Sequence, residues 1–363
     1  MSFPLNTPPM RMITTVFCFV YLVLGSSQAQ TAWEMEDSGT SAGLRGIHAV
    51  SGGVVWASGT GGTVLRSEDS GYLWQECAVP PGGAGLDFRG IWASDAQNAL
   101  VLSSGPGLQS RLFRTTDGCS SWRLVFSNQD SGGFWDGLLV VDHASGFIYG
   151  DPVTSGARTS GKDVALILPA LQTRDGGQTW SPGKPIQALP GESVFAASNS
   201  AMTASQGWIW LGTSRGRVLR SCDGAEWQSA PTPLASGNGS SGVFSLAFRD
   251  AKHGMAVGGD YRQPGSTEGT AAYTSDGGEH WNASLRPPHG YRSAVAWDED
   301  HQAWVTAGSN GSDISYDDGK TWQWLDSGNW NALSLPWAVG PNGQIGKLGT
   351  LPAKPATTVS VSR

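Results

Sequence analysis

The sequence predicts an all-β fold, a seven-bladed β-propeller of four-stranded antiparallel blades, from three observations. First, a Ser/Thr-x-Asp-x-Gly-x-x-Trp pattern recurs in six copies about 40 to 60 residues apart. Second, the segments between copies are short apolar runs broken by Gly, Asn, Asp and Ser, with no competing helical periodicity. Third, the two ends of the chain carry complementary parts of one further repeat.

Each repeat reads as four strands. A first strand is typified by Leu44 to Val50 and Phe88 to Ala93, and a second, ending in small residues, by Val54 to Gly59 and Met255 to Gly259. A third leads into the motif, as Val64 to Ser67 and Val218 to Ser221 do, and a fourth starts at the Trp. Four short strands per repeat of this length make a propeller blade. In the turn the Asp accepts backbone N–H groups, the Gly supplies a positive φ, and the Trp brings a large apolar body to bury between blades. The copies pair Asp69 with Trp74, Asp117 with Trp122, Asp175 with Trp180, Asp223 with Trp227, Asp276 with Trp281 and Asp317 with Trp322. Catalytic residues seldom repeat in every unit, so these twelve are assigned to the scaffold. Two copies deviate: Cys119 stands where a Gly is usual, and Ser221 to Trp227 is one residue short.

After the sixth copy, Trp330 to Leu335, Trp337 to Gly340 and Gln344 to Leu348 supply three strands but no motif. Ala32 to Gly39 parallels Thr321 to Gly328, with Trp33 matching Trp322. The ring is therefore expected to close with the N-terminal strand as the outer strand of the last blade, which hides both terminal edges. Six or eight blades are the alternatives.

Length and charge narrow the function classes. A chain of 363 residues fits one closed repeat ring, with 51 Gly and 17 Trp serving its turns and its inter-blade packing. The 23 basic against 30 acidic residues leave no broad basic face for nucleic acid. Arg11, the apolar run Met12 to Leu24 and the small residues around Ala29 read as a secretory leader over residues 1–29, cleaved between Ala29 and Gln30. No later segment is apolar enough to span a bilayer, so the mature chain is expected to be secreted or periplasmic and monomeric. Residues 30–348 form one propeller domain, and 349–363 a disordered tail. Cys77, Cys119 and Cys222 remain after cleavage, which leaves one disulfide plus a free thiol, or three free thiols.

Ligands are expected on the face opposite the motif turns. Two links there are expanded, one from Gly150 and Asp151 through Arg158, Lys162 and Asp163 to Leu171, and one from Gly259 through Asp260, Tyr261 and Arg262 to Thr270. Aligned repeats place Arg45, Arg89, Asp136, Phe195, Phe244, Arg292 and Asn331 at one equivalent position around the channel. Of these, Arg45, Arg89, Asp136, Arg292 and Asn331 form the candidate binding residues with Asp151, Glu192, Asp260, Tyr261 and Arg262, since arginines suit bidentate carboxylate recognition. Arg89→Ala and Arg292→Ala are both expected to weaken binding while sparing stability. The histidines show no metal-ligand spacing, and no cofactor fingerprint is present.

The motif pattern resembles the Asp-box (BNR) repeat of sialidase-like propellers. The phrases Gly46 to Val50, Gly150-Asp151-Pro152, Ala256 to Tyr261 and Trp337 to Gly343 resemble the photosystem II stability/assembly factor-like family. That resemblance implies a non-enzymatic binding or assembly platform for a protein or glycan partner. The alternative is a sialidase-like glycoside hydrolase using Asp151, Asp260 or Glu192. Against it, the chain lacks the Arg-Ile-Pro signature of sialidases and a Tyr-Glu nucleophile pair.

Overall fold

In the computed structural model, residues 32–154 and 165–354 are described, together with residue 1. The expected leader and its cleavage point, the link residues Arg158, Lys162 and Asp163, and residues 355–363 lie outside the described residues.

The fold is an all-β propeller of eight blades, which corrects the expected count of seven. Seven blades have four strands. In chain order their first strands are Leu44–Ala49 (blade 1), Phe88–Ala93 (blade 2), Trp135–Val140 (blade 3), Met202–Ser205 (blade 5), Ser241–Phe248 (blade 6), Ala294–Asp298 (blade 7) and Ala332–Ser334 (blade 8). Blade 4 is a smaller sheet of three strands, Val153–Thr154, Leu166–Leu168 and Ile186–Gln187, interleaved in sequence with blade 3. It arises from the expanded link after Gly150. Read as a loop, that stretch instead returns as a hairpin and recruits Ile186–Gln187 from beyond the next motif. The hairpin is held because Leu168 and Ile186 are buried in the wedge between Phe147 and Tyr149 of blade 3 and Met202, Ile209 and Leu211 of blade 5.

Blade 8 is shared by the chain ends. Trp33–Glu36 runs antiparallel to Ile345–Leu348, with Trp33 opposite Leu348 and Glu36 opposite Ile345. The Trp33 ring is buried 5.2 Å from that of Trp330, and its indole N–H donates to Ser312 Oγ of blade 7 at 2.9 Å. Residues just past Leu348 also pack: Gly349 N–H donates to Ala32 O, and Tyr316 hydroxyl to Pro352 O.

The core is dispersed between blades rather than gathered at the centre. One apolar cluster joins blades 1 and 2 around Trp56, Phe88 and Phe113, and another joins blades 6 and 7 around Met255, Trp304 and Trp322. The motif turns hold each blade's outer corner. In every copy the Ser or Thr hydroxyl donates to the Asp two residues on, as Thr173 does to Asp175 at 2.8 Å and Ser221 to Asp223 at 2.9 Å. The same hydroxyl accepts the N–H of the turn residue, Gly177 at 2.9 Å or Cys119 at 3.1 Å. Hydrogen bonds from Thr179 hydroxyl and N–H and from Thr173 bring the Asp175 carboxyl down to about 2. It is a structural acceptor, ionised at any working pH.

Cys119 has a φ of 64°, and its thiol is joined to Cys77 in a disulfide that ties the outer edge of blade 1 to the motif turn of blade 2. Cys222 is free and exposed. Left-handed backbone at a non-glycine residue costs about 1–2 kcal/mol. Closing a separation of 42 residues removes about 4 kcal/mol of chain entropy from the unfolded state, so the bond outweighs the strain. Cys77→Ser with Cys119→Ser is expected to lower unfolding stability by about 2–4 kcal/mol. Denaturant titration checks this, and a reductant should shift the parent protein alone. Equal midpoints for parent and variant would show that the crosslink contributes nothing.

Candidate ligand-binding site in the channel mouth

The innermost strands of blades 1, 2, 3 and 6 share an irregularity that builds the site. Leu44 pairs with Gly59 and Gly46 with Ser58, so Arg45 is left over as a bulge. Arg89 is skipped in the same way between Phe88 and Gly90, Asp136 between Trp135 and Gly137, and Phe244 between Val243 and Ser245. A β-bulge adds one unpaired residue and re-aims its side chain. All four residues line one cavity of about 470 Å³. The glycine after Arg45 is required by close approach: a Cβ on Gly46 would stand 2.8 Å from Ser58 Oγ and 2.9 Å from the carbonyl oxygen of Arg89.

The cavity is polar on one side and aromatic on the other. Arg45, Arg89, Asp136 and Asp151 come from blades 1 to 3 and the link after blade 3. Facing them, Phe195 stacks on Phe244 with ring centroids 3.7 Å apart, and Tyr291 meets Phe244 edge-on at 4.9 Å. Tyr261 stands edge-on to Phe244 and is 44% exposed, so it forms the rim. Asn331 completes the wall, its amide donating to Leu44 O at 2.7 Å.

The charged groups are unequally satisfied. Arg89 donates to Asp87 at 2.8 Å and to Ala196 O at 3.3 Å. Half-buried Arg45 makes no hydrogen bond or ion pair among the described residues, and its Nε is buried without a partner. Burial, and then the like charge of Arg89, lower its pKa. Asp136 is 2% exposed, and its Oδ2 has no partner among the described residues. Burial, and then the nearby Asp151 carboxyl, push its pKa well above the ordinary carboxylate value, against an opposing pull from Arg89. Burial also raises Asp151, whose Oδ1 accepts the N–H of Val194 at 3.0 Å.

Of the residues expected here, Arg45, Arg89, Asp136, Asp151, Tyr261 and Asn331 line the cavity. Four others do not. Glu192 is buried in a bidentate pair with Arg217, at 2.7 and 2.6 Å. Asp260 caps its own loop by accepting the N–H of Arg262 and the amide of Asn238. Arg262 lies over the Tyr261 ring. Arg292 is fully buried: Nε donates to Asp313 Oδ2 at 2.8 Å, Nη2 also contacts that oxygen, and Nη1 donates to Tyr291 O and Asn310 Oδ1. Blade 7 has no bulge at its first strand, so Tyr291 and Ser293 face the cavity instead of Arg292. Phe134, Tyr291 and Trp330 are lining residues that the repeat alignment missed, Tyr291 and Trp330 directly before an aligned position and Phe134 two residues before one. The three carboxylates of the glycosidase alternative do not converge, since only Asp151 reaches the cavity. Among the described residues one carboxylate–histidine group, Asp276, Glu279 and His280, brings possible metal ligands together. All three are exposed, and Asp276 and Glu279 are already engaged by the motif turn and Arg220. No helix among the described residues is long and apolar enough to cross a membrane.

Fold and site together define a β-propeller with an open, two-sided cavity at its channel mouth. No family model matches the chain. A relative, the photosystem II assembly protein Ycf48 of Synechococcus sp. (strain JA-2-3B'a(2-13)), is 27% identical over 274 residues, covering 74% of this chain and 70% of its own. Among solved structures, one described as YCF48 bound to D1 peptide superposes with a TM-score of 0.60 at 15% identity, covering 88% of this chain and 98% of its own. YCF48 from Cyanidioschyzon merolae gives 0.59 at 17% identity, covering 87% of this chain and 98% of its own.

Proposed function

We propose that this chain is an exported, non-enzymatic β-propeller that binds a segment of a partner protein in the channel-mouth cavity, in the manner of an assembly factor. The observation that carries this is the half-buried guanidinium of Arg45, without a partner among the described residues, across from a wall of stacked aromatics in a cavity of about 470 Å³. A free fork of donors suits a carboxylate, and the aromatic wall suits an adjoining apolar side chain. Similarity to an assembly protein, and to a structure described as holding a peptide, favours a protein over a glycan. The partner is defined by this chemistry and not by photosynthesis. Export is supported by the leader-like segment before Gln30 and by the Cys77–Cys119 disulfide, a bond typical of oxidising compartments. The motif turns support an Asp-box (BNR) ancestry within the sialidase-like propellers, and the mature chain acts as a monomer.

An array of short acidic and neutral peptides, probed with the whole protein, tests the reading. Acidic peptides carrying an apolar residue should be retained, and Arg45→Ala should weaken them about 10- to 100-fold, as loss of a charge-assisted hydrogen bond does. The melting temperature of that variant should stay close to the parent's. Uniform array binding, or glycoside turnover abolished by Asp151→Ala, would sink the proposal.

A further inference from the structure

We propose that Asp136 and Asp151 form a second subsite in this cavity, which takes the ammonium group of a lysine-like side chain on the bound protein segment. This rests on the protein-binding reading and adds what that segment must carry. Asp136 stands on the bulge of the blade 3 inner strand, is 98% removed from solvent, and keeps one carboxyl oxygen without a donor among the described residues. Leaving a buried acceptor unpaired is costly, so a donor from a ligand is favoured there. The cations nearby leave it unpaired: Arg89 is drawn to Asp87 and the Ala196 carbonyl, and Arg45 makes no ion pair among the described residues. A fold that keeps a carboxyl and a guanidinium on one cavity without joining them leaves both to a ligand.

The charge balance sets the chemistry. Arg45 and Arg89 line the cavity with Asp136 and Asp151, and Asp87 pairs with Arg89 behind it; two cations balance the set only while Asp136 keeps its proton, so ionising all three acids calls for one further positive charge. Among the described residues the groups that face Asp136 are Asp151, Arg89 and the Tyr149 hydroxyl, itself buried and without a partner there. Without a cation, burial and Asp151 hold the proton on Asp136. An ammonium favours the ionised form of both carboxyls and displaces that proton, which a neutral hydroxyl or amide does not do. With Asp136 only 2% exposed, a compact ammonium suits it better than a planar guanidinium. Binding is therefore coupled to proton release and strengthens as pH rises above the ordinary carboxylate range through the raised Asp136 value.

Ligand-observed NMR titration of the whole protein with N-acetyl-lysine methylamide, against N-acetyl-norleucine methylamide, reads the subsite directly. The lysine probe should bind about tenfold or more tightly than its uncharged counterpart, and more so at higher pH. Asp136→Asn and Asp151→Asn should each reduce that preference at least several-fold. Unfolding does not explain such a loss. A raised folded-state pKa contributes stability below the ordinary carboxylate value that is lost as pH rises through the raised one, so Asp136→Asn should melt at or above the parent at neutral pH. Equal binding of the two probes, binding of neither, or a preference that survives both substitutions would overturn the subsite. Arg45→Ala separates the two readings: it should weaken acidic-peptide binding about 10- to 100-fold yet leave the lysine preference intact. If acidic peptides bind and the lysine preference is missing, the subsite alone fails. If the lysine preference is present and acidic peptides do not bind, the Arg45 reading fails.

Discussion

Arg292→Ala is expected to destabilise the protein by about 3–5 kcal/mol, enough to remove a large part of a typical domain's stability. The side chain is fully buried, and its guanidinium is satisfied by Asp313, Tyr291 O and Asn310. Removing it strands Asp313, also fully buried, with only the half-exposed His289 at 2.5 Å. The cost comes from that uncompensated carboxylate and not from the pair itself. A double substitution to apolar residues of similar volume, Arg292→Met with Asp313→Leu, should therefore recover most of the loss. Denaturant midpoints of the parent, single and double variants decide it. A single-variant loss below about 1 kcal/mol would mean that water or a shift of the chain reaches Asp313. Arg45→Ala should be close to neutral in the same assay, although both arginines occupy one aligned position.

That contrast shows what the sequence could and could not disclose. The motif spacing makes the repeat legible because each Asp and Trp serves one blade locally, within a few residues. The closing strand was legible for the same reason, since Trp33 repeats the surroundings of Trp322. The site was partly legible through Arg45-Gly46, Arg89-Gly90 and Asp136-Gly137, where the glycine after each bulge leaves room for a close neighbour: the Arg89 carbonyl at Gly46, the Asn199 side chain at Gly90 and the Tyr149 hydroxyl at Gly137. Arg292 has no following glycine and no bulge, and that local difference marks its inward turn toward Asp313. The blade count was not legible. Blade 4 consists of strands of two or three residues, too short for an alternating pattern, and its third strand lies beyond an intervening motif. Its stability comes from packing Leu168 and Ile186 between two other blades, a long-range property. The pairing of Cys77 with Cys119 likewise depends on adjacent blades meeting edge to edge, which spacing alone does not encode.

Removing the closing strand, residues 32–39, is expected to abolish cooperative unfolding rather than lower its midpoint modestly. Trp33 alone buries about 200 Å² of largely apolar surface, about 5 kcal/mol gross at 25 cal/mol/Å². Trp33→Ala should thus cost about 3–5 kcal/mol. Deletion removes more: the ladder to Ile345–Leu348, the indole hydrogen bond to Ser312, and the N–H of Gly349 bonded to Ala32 O. It also uncovers Trp330 and turns Ile345–Leu348 into an unpaired edge, the feature that drives strands of separate molecules together. The truncated protein should therefore show a broad thermal transition and concentration-dependent association by size-exclusion chromatography with light scattering. A synthetic peptide of residues 32–39 supplied in trans should sharpen the transition and reverse the association, while the same peptide with Trp33→Ala should not. A truncated protein that melts as sharply and as high as its parent would show that blade 8 holds together on three strands, with ring closure carried by the inner strands alone.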